Sequence, residues 1–413
     1  MSNDLLNFNN EPNSAAQIKV IGVGGGGGNA VNYMYRKGIN DVGFILCNTD
    51  AQALKNSPVP LCIPLGNHLT EGRGAGNMPE LGRQATEESI DEIRAVLEGT
   101  TDMVFITACM GGGTGTGAAP VIARLCRELK ILTIAVVTVP SKSEGRKRYD
   151  QALAGVNEIQ QHVDSLLVIN NEKIRMIYGD LPASQAFAKA DEILATAVKG
   201  IAEIITLHGN INIDFADVST VMSGSKVFIM GTGYAEGEGR ALKAVELALV
   251  SPLLDSNDIY GTNEILLNIT SGQEEITIGE IGQIIEHLQM KAGTDANIIW
   301  GNGYDQHLGN QISVTIIATG FKTNPSAILQ EKERLPEEKM ELDMEAEEVF
   351  ISDENEREPA TASMAGETEM NNKKEEFRNQ VPKKANKRKS AADGWLKRQL
   401  DLFFEEKSAD LNN

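Results

Sequence analysis

The chain has 413 residues, enough for two ordinary domains with cores of their own. An apolar content of 41% with few aromatics fits a mostly globular protein, and a net charge of −20 excludes a general binder of nucleic acid or acidic membrane, which needs a lysine and arginine excess. Cys47, Cys62, Cys109 and Cys126 form no CxxC pair and have no histidine at metal-ligand spacing, so they read as reduced, buried thiols of a cytosolic protein.

Residues 1–16 lack a basic stretch leading into an apolar core and read as a flexible arm rather than a signal peptide. No apolar run is long enough to span a bilayer, so the expected location is the cytoplasm, without membrane insertion. From residue 17 apolar runs alternate with helical patterns. IKVIGV is a strand, NAVNYMYRKG a helix closed by Gly38, and DVGFILCNTD a strand. EESIDEIRAVLEG reads as one amphipathic helix, TDMVFITACM as a strand, GAAPVIARLCRELK as a helix, and ILTIAVVTVP and DSLLVINN as strands. Near-continuous Val/Ile/Leu strands separated by helices indicate a parallel sheet covered on both faces.

A long helical pattern, ASQAFAKADEILATAVKGIAEIITLHG, then leads into a second series. DFADVSTVMS, GRALKAVELALVSP and TIGEIGQIIEHLQMKAG read as helices; KVFIMGTGYAEG, EILLNITSG, ANIIWGNGYD and QISVTIIATG read as strands. The expected fold is α/β: a Rossmann-like parallel-sheet domain over 17–178, a long central helix over 179–207, and a smaller α/β domain over 208–320. Beyond it, residues 321–390 are acidic, poor in large apolar residues and basic only at their end (383–390), the composition of a disordered linker. Residues 391–413 regain amphipathicity: Leu396, Leu400 and Phe403 fall at i, i+4, i+7 with Trp395 beside them. This tail suits a partner's groove; Glu405 and Glu406 weigh against a membrane surface.

The chemistry concentrates in glycine-rich turns after strands. GVGGGGGNAV satisfies G-x-G-x-x-G through Gly22, Gly24 and Gly27, and Asp50 follows a strand later, as in a dinucleotide-binding fingerprint. GGGTGTG at 111–117 adds a second such turn, and EGRGAGNMPELG at 71–82 a third. Glycines let successive backbone N–H groups converge on an anion, and a following helix N-terminus favours negative charge. Thr114 and Thr116 add hydroxyls, and no Walker lysine is present, so main-chain donors and a bound Mg²⁺ must handle a polyphosphate. Glu144 suits ribose hydroxyls, with Arg148 supplying charge beside it. Asn171, Phe187 and Asp191 fall where a base would lie; a carboxylate at 191 suits guanine, which presents N–H donors, unless it is a solvated helix carboxylate.

In NINIDFADV, Asp214 and Asp217 stand at i and i+3 near a helix start, with Asn212 just before. Such a pair either orients a hydrolytic water or merely caps the helix, and the two roles are compatible.

Together IGVGGGGGNAV, CNTDAQAL, GGGTGTG, PSKSEGRKRYDQA, NIDFADVSTVMS and SPLLDSNDIYGTNEILLNITSG, over residues 17 to 320, resemble the tubulin/FtsZ family of GTPases. The resemblance implies GTP/GDP as ligand and a head-to-tail homopolymer that forms a division ring at mid-cell. It implies that Gly25, Gly26, Gly27, Gly28 and Asn29, with Gly112, Gly113, Thr114, Gly115 and Thr116, hold the phosphates. Glu144 and Arg148 would face the ribose, and Asn171, Phe187 and Asp191 the guanine. Asn212, Asp214 and Asp217 would form a catalytic loop given to the neighbouring copy's nucleotide, and the tail would meet membrane-tethering and regulatory division proteins. Arg73 and Met78 stand where family members carry small or apolar residues, Glu172 stands where Asp is common, and the tail departs from the usual pattern. Two competing readings remain at this point: a dinucleotide-dependent oxidoreductase resting on Gly22, Gly24, Gly27 and Asp50, and a polymer that does not hydrolyse its nucleotide.

Overall fold

A computed structural model of the chain describes residues 18–39, 42–206, 209–250, 259–293 and 295–321. The expected arm, linker and tail, with Trp395, Leu396, Leu400 and Phe403, lie outside them.

The first half follows the alternation in the sequence. β1 (Ile18–Val23), α1 (Gly24–Lys37) and β2 (Val42–Asn48) lead to α2 (Ala51–Lys55), β3 (Cys62–Pro64) and α3 (Asn67–Thr70). Next come α4 (Pro79–Glu88), α5 (Ile90–Leu97), β4 (Met103–Cys109), α6 (Gly113–Glu128) and β5 (Leu132–Val139). α7 (Arg146–Ile159), β6 (Ser165–Asn170) and α8 (Asn171–Tyr178) complete this half. The strands form a parallel sheet in the order β3-β2-β1-β4-β5-β6, which a seventh strand extends beyond β6. β4 is buried along nearly its whole length and β5 throughout, as expected of strands with helices on both faces. The core joins Ile21, Ile106, Val137 and Val168 of the sheet to Ile122, Val156 and Ile159 of the helices.

The long helix α9 (Ala183–Thr206) leads into β7 (Gly209–Ile211), α10 (Phe215–Met222), β8 (Lys226–Val227) and β9 (Ile229–Ala235). α11 (Arg240–Leu249), β10 (Glu264–Ser271), α12 (Ile278–Ala292), β11 (Asn297–Tyr304) and β12 (Ile312–Thr319) follow. These build a mixed sheet in the order β7-β11-β10-β12-β9. α11 and α12 cover it through Val245, Ile284 and Leu288, against Leu267, Val314 and Ile316.

Two single-element readings are corrected. EESIDEIRAVLEG breaks at Ser89 into α4 and α5, because the Ser89 hydroxyl accepts the Gly66 N–H (3.0 Å) and donates to the Pro64 carbonyl (3.3 Å). KVFIMGTGYAEG divides between sheets: β8 pairs with β6 of the first, and β9 pairs with β12 of the second. Lys226, the first residue of β8, adopts a left-handed φ of 65°. No helix among the described residues is long and apolar enough to cross a membrane.

Candidate functional site

β1 pairs with β2 on one side and β4 on the other, so the chain winds in opposite directions from the β1–β4 junction. In open parallel sheets such a reversal leaves a crevice beyond the C-terminal strand ends. The turns after β1 and β4 both open there. Gly24 (φ 71°) and Gly111 (φ 95°) hold left-handed conformations that admit the sharp exits from strand to helix. A Cβ on Gly26 would come within 2.2 Å of the Cys109 Sγ, so the first turn of α1 sits directly against the end of β4. At Gly25 and Gly112 an added Cβ would meet nothing within 4 Å.

The result is a cavity of about 340 Å³ whose wall gathers residues from six separate segments. Gly25, Gly26 and Asn29 come from α1; Gly112, Gly113, Thr114 and Gly115 from the turn into α6. Glu144 and Arg148 come from the start of α7 and the turn before it, Asn171 from α8, and Phe187 and Asp191 from α9. Three expected residues stand apart from this wall. Gly27 is buried, where a Cβ would reach 2.3 Å from the Thr107 carbonyl oxygen, and Gly28 points to open space. The Thr116 hydroxyl turns inward and accepts the Gly111 N–H at 2.9 Å, tying the turn together. Thr114 pairs its hydroxyl with Thr49 at 2.7 Å, linking the second glycine turn to the end of β2.

The chemistry of the wall is graded. One end is main-chain N–H at helix starts, which favours anions. At the other end Phe187 presents an exposed ring (60%), and Asn171 holds a buried Oδ1 without a hydrogen-bond partner. A buried acceptor in that state can take a donor from a ligand or a water molecule. Burial pushes the Asp191 carboxyl up to about 6, so it is not the solvated helix carboxylate the sequence left open. Between the two ends, Glu144 accepts the Ser141 N–H at 2.9 Å and pairs with Arg148 at 3.3 Å. Arg73 pairs with Glu71 at 2.9 Å, and Met78 precedes α4 with its N–H close to Gly113.

Sequence reasoning missed Cys109 and Thr138 in the wall. Burial raises the Cys109 thiol to about 11, so it is a neutral wall atom there; nothing in its spacing signals the position. Asp50, the acid on which a dinucleotide reading depends, instead caps α2, accepting N–H bonds from Gln52 (2.9 Å) and Ala53 (3.1 Å). That removes the acid expected to hold a ribose in a dinucleotide fold.

Asn212, Asp214 and Asp217 are elsewhere. Asp214 caps α10 by accepting the Asp217 N–H (2.9 Å), and Asp217 returns the contact by accepting the Asp214 N–H (3.2 Å). Both of the sequence's readings of this pair survive, since the capping box leaves Asp214 exposed. α10 lies along the N-terminal strand ends. Its Phe215 and Ser219, with Ser223 just past its end, line a second cavity, of about 690 Å³, together with Asp102, Leu132 and Asp164, and Ser165 at the start of β6 donates to the Met222 carbonyl at 2.6 Å. The first cavity opens at the other ends of the same strands, which have six to eight residues and so span roughly 20 Å or more.

The tubulin/FtsZ GTPase-domain family model matches residues 17–179, and the FtsZ C-terminal domain model matches residues 227–322. The cell division protein FtsZ of Porphyromonas gingivalis is 50% identical over 323 residues, covering 78% of this chain and 71% of that protein. FtsZ of Azotobacter vinelandii is 50% identical over 315 residues, 76% of this chain and 79% of its own. Among solved structures, an empty FtsZ dimer from M. jannaschii superposes with a TM-score of 0.69 at 41% identity, covering 74% of this chain and 88% of that one. CetZ2 from Haloferax volcanii, at 18% identity, shares the fold with a TM-score of 0.64 over 80% of this chain and 99% of its own. Glycine turns at the sheet reversal, a helix-borne carboxylate in the cavity and sequence identity of this extent agree: the chain belongs to the tubulin/FtsZ family of GTPases.

Proposed function

We propose that this GTPase hydrolyses GTP at the junction between two copies of itself, the acidic loop of one copy completing the nucleotide cavity of the next. The separation of the two half-sites carries the reading: the cavity and the acids lie at opposite ends of one parallel sheet, too far apart to meet within a subunit. Each end also bears exposed apolar side chains. Ile211 and Tyr304, on the paired strands β7 and β11, lie next to the acidic loop, and Met78 and Phe187 flank the cavity, which suits two faces that cover each other.

In this arrangement the N–H groups of Gly25, Gly26 and Asn29 and of Gly112 to Gly115 bind the phosphates. Glu144 and Arg148 take the ribose, while Phe187 stacks on guanine and Asn171 and Asp191 accept its N–H donors. Neither glycine turn contains a lysine, and among the described residues no group of three His, Cys, Asp or Glu side chains could hold a metal. A bound Mg²⁺ would supply charge neutralisation beside these turns. Asp214 and Asp217 from the adjoining copy, with Asn212, orient the attacking water and accept its proton. Filaments built this way form the ring at mid-cell, in the cytoplasm. The tail around Trp395 and Phe403 tethers them to membrane-bound and regulatory division proteins, and its deletion (391–413) leaves GTP turnover intact while releasing the filaments from the membrane.

Asp214→Ala and Asp217→Ala each bind GTP normally and lose the turnover that rises with protein concentration. Mixing either with a subunit that cannot bind GTP restores no activity at some junctions but full sites at others, since each partner supplies the half the other lacks. Absence of any recovery in the mixture would refute hydrolysis between copies.

A further inference from the structure

Glu172 lies outside the cavity wall, yet it joins two parts of it. It stands in the first turn of α8, where its N–H donates to the Asn170 Oδ1 at 2.9 Å, and it directly follows Asn171 of the wall. Its carboxylate turns to a different element. Oε2 accepts the hydroxyl of Ser141, Oε1 accepts from Arg175, and the Lys142 N–H is a further donor. Ser141 is buried and caps the turn over residues 142–144: its Oγ accepts the Ser143 N–H at 3.2 Å, and its N–H donates to the Glu144 Oε1 at 2.9 Å. Glu144 in turn holds Arg148 at 3.3 Å.

A continuous path thus runs from Arg175 through Glu172, Ser141 and Glu144 to Arg148, with two cations and two anions. A pair between Glu172 and Arg175 at i, i+3 would serve α8 alone. The contacts to Ser141 and Lys142 instead lock the turn that carries Glu144 to the helix that carries Asn171. Arg175 and Ser141 hold the Glu172 carboxyl below the usual range, so it stays an acceptor near neutral pH.

We propose that Glu172 is a positioning residue for the nucleotide's sugar, fixing Glu144 and Arg148 relative to the guanine-facing Asn171. The inference rests on the assignment of Glu144 to the ribose made above. The test is equilibrium binding of GTP and of 2′,3′-dideoxy-GTP, which lacks both hydroxyls, at protein concentrations below assembly. Glu172→Ala lowers GTP affinity about fivefold to tenfold and changes dideoxy-GTP affinity less than about twofold. In a Glu144→Ala background the same change costs nothing further, because the two residues act on one contact. Glu172→Gln keeps an acceptor for Ser141 and recovers part of the preference. Equal weakening of both nucleotides, or no change in either, overturns the proposal while Glu144→Ala still erases the preference for GTP. If Glu144→Ala itself leaves that preference intact, the ribose assignment is what fails.

Discussion

The carboxyl of Asp191, raised to about 6 by burial, makes guanine binding depend on pH in a calculable way. Guanine offers N–H donors, so only the ionised carboxylate accepts them, and binding lowers its pKa further. Below pH 6 the free protein holds a proton there that must leave before GTP binds. Affinity therefore falls with acid, by the factor one plus ten to the power of the difference between that pKa and the pH. Relative to pH 8, the loss is roughly 1.1-fold at pH 7, twofold at pH 6 and elevenfold at pH 5. Asp191→Asn is nearly isosteric but presents a donor where an acceptor is required. Losing a hydrogen bond to a charged group costs about 1.5–3 kcal/mol, or roughly a tenfold to hundredfold weaker GTP at pH 8. The variant should also prefer xanthosine triphosphate, whose C2 carbonyl accepts the new donor. Calorimetric titration of unassembled protein at each pH measures all of these. A wild-type affinity flat from pH 8 to 5, or an Asp191→Asn variant that keeps the wild-type slope, would refute the assignment.

Gly112→Ala tests the phosphate end. Its φ of −99° and ψ of −179° are extended backbone open to any residue, so thermal stability stays unchanged, but the methyl enters the cavity. Overpacking costs about 1–3 kcal/mol, which predicts roughly fivefold to hundredfold weaker GTP in the same titration. Arg240→Ala tests the second domain, where the buried guanidinium binds Glu280 (2.7 Å) and the Glu274 (3.2 Å) and Glu275 (3.0 Å) carbonyls. Breaking a buried pair costs about 3–5 kcal/mol, read as a lower urea midpoint. Arg240 depresses the Glu280 carboxyl from 4.5 to about 2, so its contribution is complete above pH 4.5 and lost as pH falls toward 2. The variant lacks that acid-dependent component, and equal acid slopes for both proteins would exclude it.

Much of the site was legible because its determinants are local. A glycine turn between an apolar strand and a helix needs only its own residues, and GGGTGTG announces the turn that the structure shows before α6. What escaped depends on distant partners. The helical periodicity through EESIDEIRAVLEG runs on without a fault, since the break at Ser89 is set by Pro64 and Gly66 across a loop. β3 and β7, of three residues each, are too short for a period to register. In KVFIMGTGYAEG the apolar run is the same whichever sheet receives it, so the handover after Val227 is a tertiary choice. The hydroxyls of Thr114 and Thr116 look alike in sequence, yet one reaches the wall and the other closes a turn. Glu172 reads as an ordinary helix-start acid until Ser141 is seen beneath it.

The placement of cavity and acids at opposite ends of one sheet has an arithmetical consequence. On the proposed division of labour, an open row of subunits always holds one fewer complete catalytic centre than it has members. Turnover per subunit thus climbs with row length and reaches its ceiling only when the row closes on itself. The two tips also differ: one displays a nucleotide that nothing covers and that exchanges with the surroundings, the other displays idle acids. Nucleotide exchange and loss of subunits can therefore be governed separately at the two tips by a single kind of chain.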